Sequence, residues 1–136
     1  MPLKVPDVGE IFLLTELLNN TFTGAKLRLF KNDYTPVDGS TLANFTQANF
    51  SGYAQIVLNA WGVAVTVAGR ASADHAPVNF THNGGATANN IYGYYVVDAT
   101  EAELLFAERD PFGPVTMALL ADNYRVILNV TGKSEY

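Results

Sequence analysis

The chain of 136 residues contains no cysteine, which excludes disulfide bridges and thiolate metal sites. Charged residues are also scarce, at 15% of the chain against about 25% in an average globular protein. Asparagine, threonine, serine, alanine and glycine take their place. A surface of this composition suits a chain that is partly covered by neighbouring molecules.

Basic charge is both scarce and scattered. The chain has 8 lysines and arginines against 13 acidic residues, which gives a formal net charge of −5. Only Lys26, Arg28 and Lys31 lie close together in the sequence. A nucleic-acid-binding protein needs a continuous basic stripe to neutralise phosphates. The sequence therefore predicts no nucleic-acid partner.

Long hydrophobic runs are missing as well. The most apolar stretches reach about ten residues, whereas a membrane-spanning helix needs about 20. The first residues lack the charged and then apolar pattern of a secretion signal. We therefore expect a protein that is made and kept in a cytoplasm and has no membrane partner.

The length fits a single domain over residues 1–136. Its best helix candidate is residues 9–19, with Asp7 as a possible cap and Asn19-Asn20 as the stop. Four apolar residues of this segment recur on one helical face: Ile11, Leu14, Leu17 and Leu18. We expect an N-terminal arm and helix over about residues 1–20.

Most of the remaining chain alternates between apolar and polar residues, as half-buried β-strands do. A short helical turn is predicted at residues 45–50. The expected strands cover residues 25–30, 53–59, 61–67, 78–82, 91–98, 103–108 and 123–130. The pattern predicts a mainly β fold, a single-domain antiparallel β-sandwich of about seven strands with a short N-terminal helix.

Two details of these strands predict packing. In residues 61–67, Trp61 and three valines alternate with small residues, so we expect the large side chains to fill the core. Gly93 lies inside the strand at 91–98, where a glycine indicates a bulge or a large neighbour over the backbone. Trp61 is our candidate for that neighbour.

Five residues are candidates for a contact surface: Tyr92, Tyr94, Tyr34, Pro36 and Phe112. Tyr92 and Tyr94 are expected to share one face of a strand, either as an exposed platform or as side chains covered by another layer. The polar connection at residues 31–44 is long for a compact domain, which marks a binding loop or a covering arm. This loop and the segment before Ile11 are candidates for arms that reach a neighbouring subunit.

Catalytic constellations are not apparent in the sequence. Ser72, Asp74 and His75 lie in a stretch with the character of a loop, and neither they nor His82 match a nucleophile or metal-ligand spacing. The carboxylates of Glu101, Glu103, Glu108 and Asp110 show no acid–nucleophile arrangement either. We expect no catalytic, metal or cofactor residues and no enzyme activity.

Three stretches, taken in order and spacing, resemble small virion-type proteins of tailed bacteriophages and prophages. They are residues 27–36, residues 45–53, and residues 91–98 followed by 104–108, within a match over most of 10–130. The resemblance implies a particle component, either a head decoration protein or a tail or fibre part. It implies a homo-oligomer that contacts other capsid or tail proteins and resides in the virion after synthesis in the bacterial cytoplasm.

A second hypothesis comes from the residues themselves. A carbohydrate- or receptor-binding β-sandwich would use the tyrosines together with the loops at 31–44, 69–77 and 109–116. The sequence leaves both hypotheses open.

Overall fold

The computed structural model describes residues 6–21 and 23–132. Within them the fold is mainly β: one α-helix and eleven strands in four antiparallel sheets. The predicted class is confirmed, but the strand pairing does not give one seven-stranded sandwich. The strands are β1 (Lys26–Phe30), β2 (Ile56–Val57), β3 (Val65–Val67), β4 (Arg70–Asp74), β5 (Val78–Thr81), β6 (Asn89–Ile91), β7 (Gly93–Val97), β8 (Leu104–Arg109), β9 (Val115–Met117), β10 (Asn123–Val126) and β11 (Asn129–Thr131).

The chain divides into two compact units. Of the described residues, the first unit combines 6–21, 23, 58–77 and 127–132, and the second combines 24–57 and 78–126. Each unit is therefore assembled from segments that are far apart in the sequence.

The first unit places helix α1 (Asp7–Glu16) on one face of a three-stranded sheet in the order β11-β4-β3. Asp7 is the first residue of the helix rather than its cap, which is Pro6 without a side-chain hydrogen bond. The helix continues as a π-helical turn over Leu17–Thr21. The predicted apolar face is confirmed, since Leu14 and Leu18 are buried and Ile11 packs against the same cluster.

Strand β4 was predicted to lie in a loop, because its small and polar residues have little β-propensity. Its pairing with β3 explains the strand: Ala68 and Gly69 take positive φ angles of 51° and 75° and close a two-residue hairpin. Helix α1 then packs on the small side chains of Ala71 and Ala73. The close approach of the helix thus depends on alanines in β4.

The prediction for the valines of residues 61–67 is wrong. Ala64, from the small face, is buried in the cluster under α1, whereas Val63, Val65 and Val67 are 87%, 51% and 56% exposed. The helix covers the face whose side chains are small enough to let it come close. The valines consequently lie outside the core.

The main sheet of the second unit has the order β2-β1-β7-β8 and is buried on both faces. Leu27, Leu29 and Val96 are at most 1% exposed on one face. Phe30, Tyr95 and Val97 form a cluster on the other face together with Phe45. The Phe45 ring stacks on Tyr95, with 4.7 Å between ring centroids.

The predicted helical turn at 45–50 is wrong. The helical turn is a short 3-10 helix over Leu42–Asn44, where Thr41 and the Asn44 side chain form a capping box. Phe45 and Phe50 are both buried, but in extended backbone.

Gly93 does lie under a large neighbour, but the neighbour is Phe30 and not Trp61. A Cβ atom on Gly93 would stand 2.8 Å from two ring carbons of Phe30 and overlap the carbonyl oxygen of Glu108. The predicted strand at 91–98 is also divided at Tyr92, into β6 and β7.

The predicted strands at 78–82 and 103–108 are confirmed as β5 and β8, and the strand at 53–59 is reduced to β2. The strand at 123–130 is two strands: β10 pairs with β5, whereas β11 pairs with β4. Strand β9, which pairs with β6, was not predicted.

Candidate functional site

His75 is buried in the first unit, and the backbone occupies both of its ring nitrogens. Its Nε2 accepts the Ala60 N–H at 2.9 Å, and its Nδ1–H donates to the Ala76 carbonyl at 2.7 Å. The ring contacts Trp61 edge-on at 5.1 Å. A ring fixed in this way serves the packing of residues 60–76.

His82 has a comparable role in the second unit. It is fully buried, and its Nδ1 accepts the Gly84 N–H at 3.0 Å while its Nε2–H donates to the Thr87 carbonyl at 2.9 Å. The ring stacks on Phe50 with 5.9 Å between centroids. His82 thereby holds the turn that the sequence predicted at 83–85.

The Ser72 hydroxyl accepts a hydrogen bond from the Asn129 side chain at 2.8 Å. Asp74 also accepts from Asn129, at 2.7 Å. The structure therefore brings Ser72 and Asp74 together around an asparagine, and His75 bonds to the backbone instead. This arrangement does not form a nucleophile–base pair.

Glu101 is held by basic side chains of β1. It forms ion pairs with Lys26, at 3.2 Å, and with Arg28. A hydrogen bond from Gln55 and these two cations lower the pKa of Glu101 to about 2. This carboxylate links β1 to the turn that precedes β8.

Acid is therefore expected to remove the stabilisation that Glu101 provides. Its pKa is lowered in the folded chain, so its contribution is present above about pH 4.5 and is lost as the pH falls towards about 2. We expect wild type to have a higher melting temperature than Glu101→Gln at pH 7. The two melting temperatures should converge near pH 2. A gap in melting temperature that stays constant between pH 7 and pH 2 would contradict this assignment.

Glu108 and Asp110 each accept a hydrogen bond from a tyrosine hydroxyl. Tyr94 donates to Glu108, and Tyr124 donates to Asp110 at 2.8 Å. Burial and these carboxylates raise the pKa of both tyrosines. Asp110 also accepts the Phe112 N–H at 2.8 Å. The two carboxylates thus anchor one half-buried ring, one buried ring and a loop, and Glu103 is exposed just before β8.

The structure places Tyr92 and Tyr94, the residues of the possible tyrosine platform, in different surroundings. Tyr92 packs against the cluster that contains Tyr95, and the Arg109 guanidinium lies 5.4 Å from the centroid of its ring. Tyr94 lies outside that cluster, with its hydroxyl bound to Glu108. The interruption between β6 and β7 places the two rings in different surroundings. Both are half-buried.

The loop at 31–44 folds back on its own unit. The Tyr34 ring meets Phe45 edge-on at 5.3 Å, and its hydroxyl bonds to Ser40 at 2.7 Å. Pro36 and its neighbours line an open groove of about 320 Å³ along β8, the edge strand of the sheet. The loop is therefore a covering arm for this unit.

Phe112 differs from the other predicted contact residues because it is 92% exposed. The Asp110 carboxylate fixes its backbone N–H, and a cis peptide bond follows between Gly113 and Pro114. The loop thus presents an aromatic ring to solvent, and Asp110 accepts the backbone N–H of the same residue. Tyr92, Tyr94, Tyr34 and Pro36 do not join it in one exposed patch.

Sequence reasoning missed the apolar surface of the first unit. On α1, Val8, Phe12 and Leu13 are 79%, 64% and 59% exposed on the side away from Leu14 and Leu18. Together with the exposed valines at 63, 65 and 67, they place six large apolar side chains on or beside regular elements of one unit. The apolar character of α1 on both faces was the signal for this surface.

The sheet of the first unit leaves open the face opposite α1. The register aligns Val65, Ser72 and Thr131 across its three strands, and it pairs Val67 with Arg70 and Asp74 with Asn129. Because directly opposed residues share a face, these side chains form one surface. A concavity of about 520 Å³ lies over it. We call this surface the open sheet face.

In the described part of the first unit, buried polar atoms of two side chains lack hydrogen-bond partners: both carboxylate oxygens of Glu10, and Nε1 of the half-buried Trp61. Glu10 precedes Leu14 by one turn on the buried side of α1. Unpaired buried polar groups cost about 1–3 kcal/mol each. They therefore offset part of the stabilisation that the helix gains from its apolar contacts.

Among residues 6–21 and 23–132, no group of three histidine, aspartate or glutamate side chains is arranged to hold a metal ion. No helix in the same ranges has the length and apolar character needed to cross a membrane. Comparison with family models, with curated proteins and with solved structures found no match to this chain.

Proposed function

We propose that the protein is a non-enzymatic structural component of a bacteriophage virion, either a capsid decoration protein or a tail-associated part. It acts through contacts with copies of itself and with other virion proteins. The observation that supports this best is that the first unit exposes large apolar side chains in two places, on α1 and around β3 on the opposite side of its sheet. The resemblance of the sequence to virion-type proteins is the reason for placing these contacts in a virion.

The exposed apolar residues are not scattered singly over loops. Phe12 and Leu13 lie on a helix, and Val65 and Val67 lie on a strand, so their side chains are held in place before any partner arrives. Fixed apolar surface loses little conformational entropy on association. Larger exposed apolar patches commonly mark interaction sites. The low charge content of the chain agrees with such a role.

The proposal includes the finer features of the fold that the sequence predicted. We propose one sandwich-type domain over 1–136 whose N-terminal arm and helix contribute to the contacts. The loop at 31–44 is left out of these contacts, because it covers its own sheet through Tyr34 and Phe45.

The proposal is tested by adding purified chain to particles assembled without it and measuring how much binds. Purified chain should bind such particles saturably, at a copy number that matches the symmetry of one part of the particle. The double variant Phe12→Ser/Leu13→Ser should bind with a lower copy number, and the matched variant Thr100→Ala, at an exposed position of the second unit, should bind like wild type. No binding at any concentration would contradict the proposal.

A receptor- or carbohydrate-binding module is the second candidate, and Phe112 is the observation that favours it. An exposed ring on a loop is suited to stack on a sugar or to insert into a partner surface. Binding on a glycan array that is lost in Phe112→Ala would support this function. If Tyr92→Phe kept that binding, the result would assign it to the exposed loop and not to the half-buried tyrosines.

A further inference from the structure

The open sheet face carries opposite charges at the two ends of β4. Arg70 and Asp74 lie on this face with Ser72 midway between them, at positions i, i+2 and i+4 of one strand. Both charged residues are exposed. In the described part of the chain, the Arg70 guanidinium has no ion-pair or hydrogen-bond partner. Within residues 6–21 and 23–132, the Asp74 carboxylate accepts a hydrogen bond from Asn129 and from no other group.

The same face is ordered from apolar to polar across its strands. Val65 and Val67 of β3 form one side. On the other side, Thr131 of β11 donates to Asn129 at 2.8 Å, and Asn129 bridges to β4. The register places Val65, Ser72 and Thr131 in one line across the sheet. The polar side chains therefore hold one another in position, while the valines and Arg70 have no such partners on this face.

We propose that the open sheet face binds the same face of a second copy of this chain, about a two-fold axis that follows the line from Val65 through Ser72 to Thr131. A rotation about this axis keeps each strand opposite its own copy and reverses its direction. Val65 of β3 then meets Val65 of the second copy, and Val67 lies over Val63 of the second copy. Arg70 of each copy faces Asp74 of the other.

The charge pattern of β4 favours a second copy of this chain as the partner of the open sheet face. A two-fold interface must be complementary to itself, and the +, neutral, − order of β4 meets that condition only when the strands run in opposite directions. Facing sheets pack about 10 Å apart, a separation that an arginine and an aspartate span together. The two ion pairs lie beside buried valines, where surrounding side chains exclude water.

This inference deepens the proposed function by naming one of its subunit contacts. It can fail while the virion role stands, because α1 offers a second contact surface. It is therefore tested on the purified full chain alone, by sedimentation velocity over a range of concentrations.

Wild type is expected to form a dimer. Arg70→Asp places two like-charged pairs in the interface and should raise the dimer dissociation constant at least about a hundredfold. Asp74→Arg should do the same. The double variant Arg70→Asp/Asp74→Arg restores opposite charges and should recover the dimer. Arg125→Asp, which reverses another exposed strand arginine without an ion pair, is the matched control and should dimerise like wild type.

A monomeric wild type would overturn the proposal, and so would single variants that still dimerise or a folded double variant that stays monomeric. Melting curves show which variants are folded. Thr131→Cys gives an independent measurement, because the chain has no other thiol and this residue lies on the axis. A short bismaleimide should crosslink Thr131→Cys and leave Asn79→Cys uncrosslinked, and equal crosslinking of both would contradict the geometry.

Discussion

Replacing Gly93 by alanine is expected to lower the free energy of unfolding by about 3 kcal/mol or more, or to prevent folding. The added Cβ would overlap the Glu108 carbonyl oxygen and stand 2.8 Å from the Phe30 ring. The carbonyl belongs to the neighbouring strand and cannot turn away without breaking the β7–β8 ladder. Phe30 is fully buried, and its ring packs against Phe45 and Tyr95.

Gly39→Ala is the matched control for this change. Gly39 has open space around its Cβ position and does not have a positive φ angle, so alanine there should change stability by less than about 0.5 kcal/mol. Urea denaturation of both variants gives the comparison. If the free energy of unfolding of Gly93→Ala lay within about 1 kcal/mol of the wild-type value, the packing of Phe30 over Gly93 would be refuted.

Replacing His82 by alanine is the second change with a large expected effect, about 3 kcal/mol of destabilisation. The substitution removes a ring stacked on Phe50 and deprives the Gly84 N–H and the Thr87 carbonyl of their partners. The turn at 83–85 loses its attachment to β5 at the same time. We expect local exchange of amide hydrogens to rise in this turn before the rest of the chain is affected.

Phe112→Ala serves as the control for loss of an aromatic ring. Its ring is 92% exposed, so its removal should leave the melting temperature nearly unchanged. Equal destabilisation by His82→Ala and Phe112→Ala would show that the buried hydrogen bonds of His82 do not stabilise the turn.

The sequence correctly predicted the elements in which buried residues recur at the regular spacing of a helix or a strand. Helix α1 buries the apolar stripe of Leu14 and Leu18, and β5 buries alternate residues, Val78 and Phe80. It also predicted a large neighbour over Gly93 but selected Trp61. Long-range pairing brings Phe30 there, since β1 and β7 lie side by side, and no local pattern contains that information.

The prediction for the valines of residues 61–67 is wrong because the period of apolar residues along a strand does not say which face another element covers. Val65 and Val67 alternate as a buried strand does, yet α1 packs on the face with Ala64 because small side chains let it come close. Strand β4 was missed for a related reason: its alanines have weak β-propensity, and its pairing with β3 and β11 supplies the strand.

For the candidate site, the sequence left open whether its tyrosines form an exposed platform or are covered by another layer. Tyr92 and Tyr94 are half-buried, and Tyr34 packs on Phe45. Of the five predicted contact residues, only Phe112 is fully presented to solvent. The surfaces that now carry the proposals, on α1 and beside β3, were assigned to the core or to a single helical face. Their exposure depends on tertiary packing.

Sedimentation velocity of wild type beside the variant Val63→Ser/Val65→Ser/Val67→Ser tests most directly whether this protein acts through subunit contacts. The three valines are exposed in the single chain, so serine should leave the melting temperature almost unchanged. We predict a defined oligomer for wild type at micromolar concentration and a folded monomer for the variant. A wild type that stays monomeric at every concentration, or a variant that assembles as wild type does, would contradict a subunit contact made by these valines.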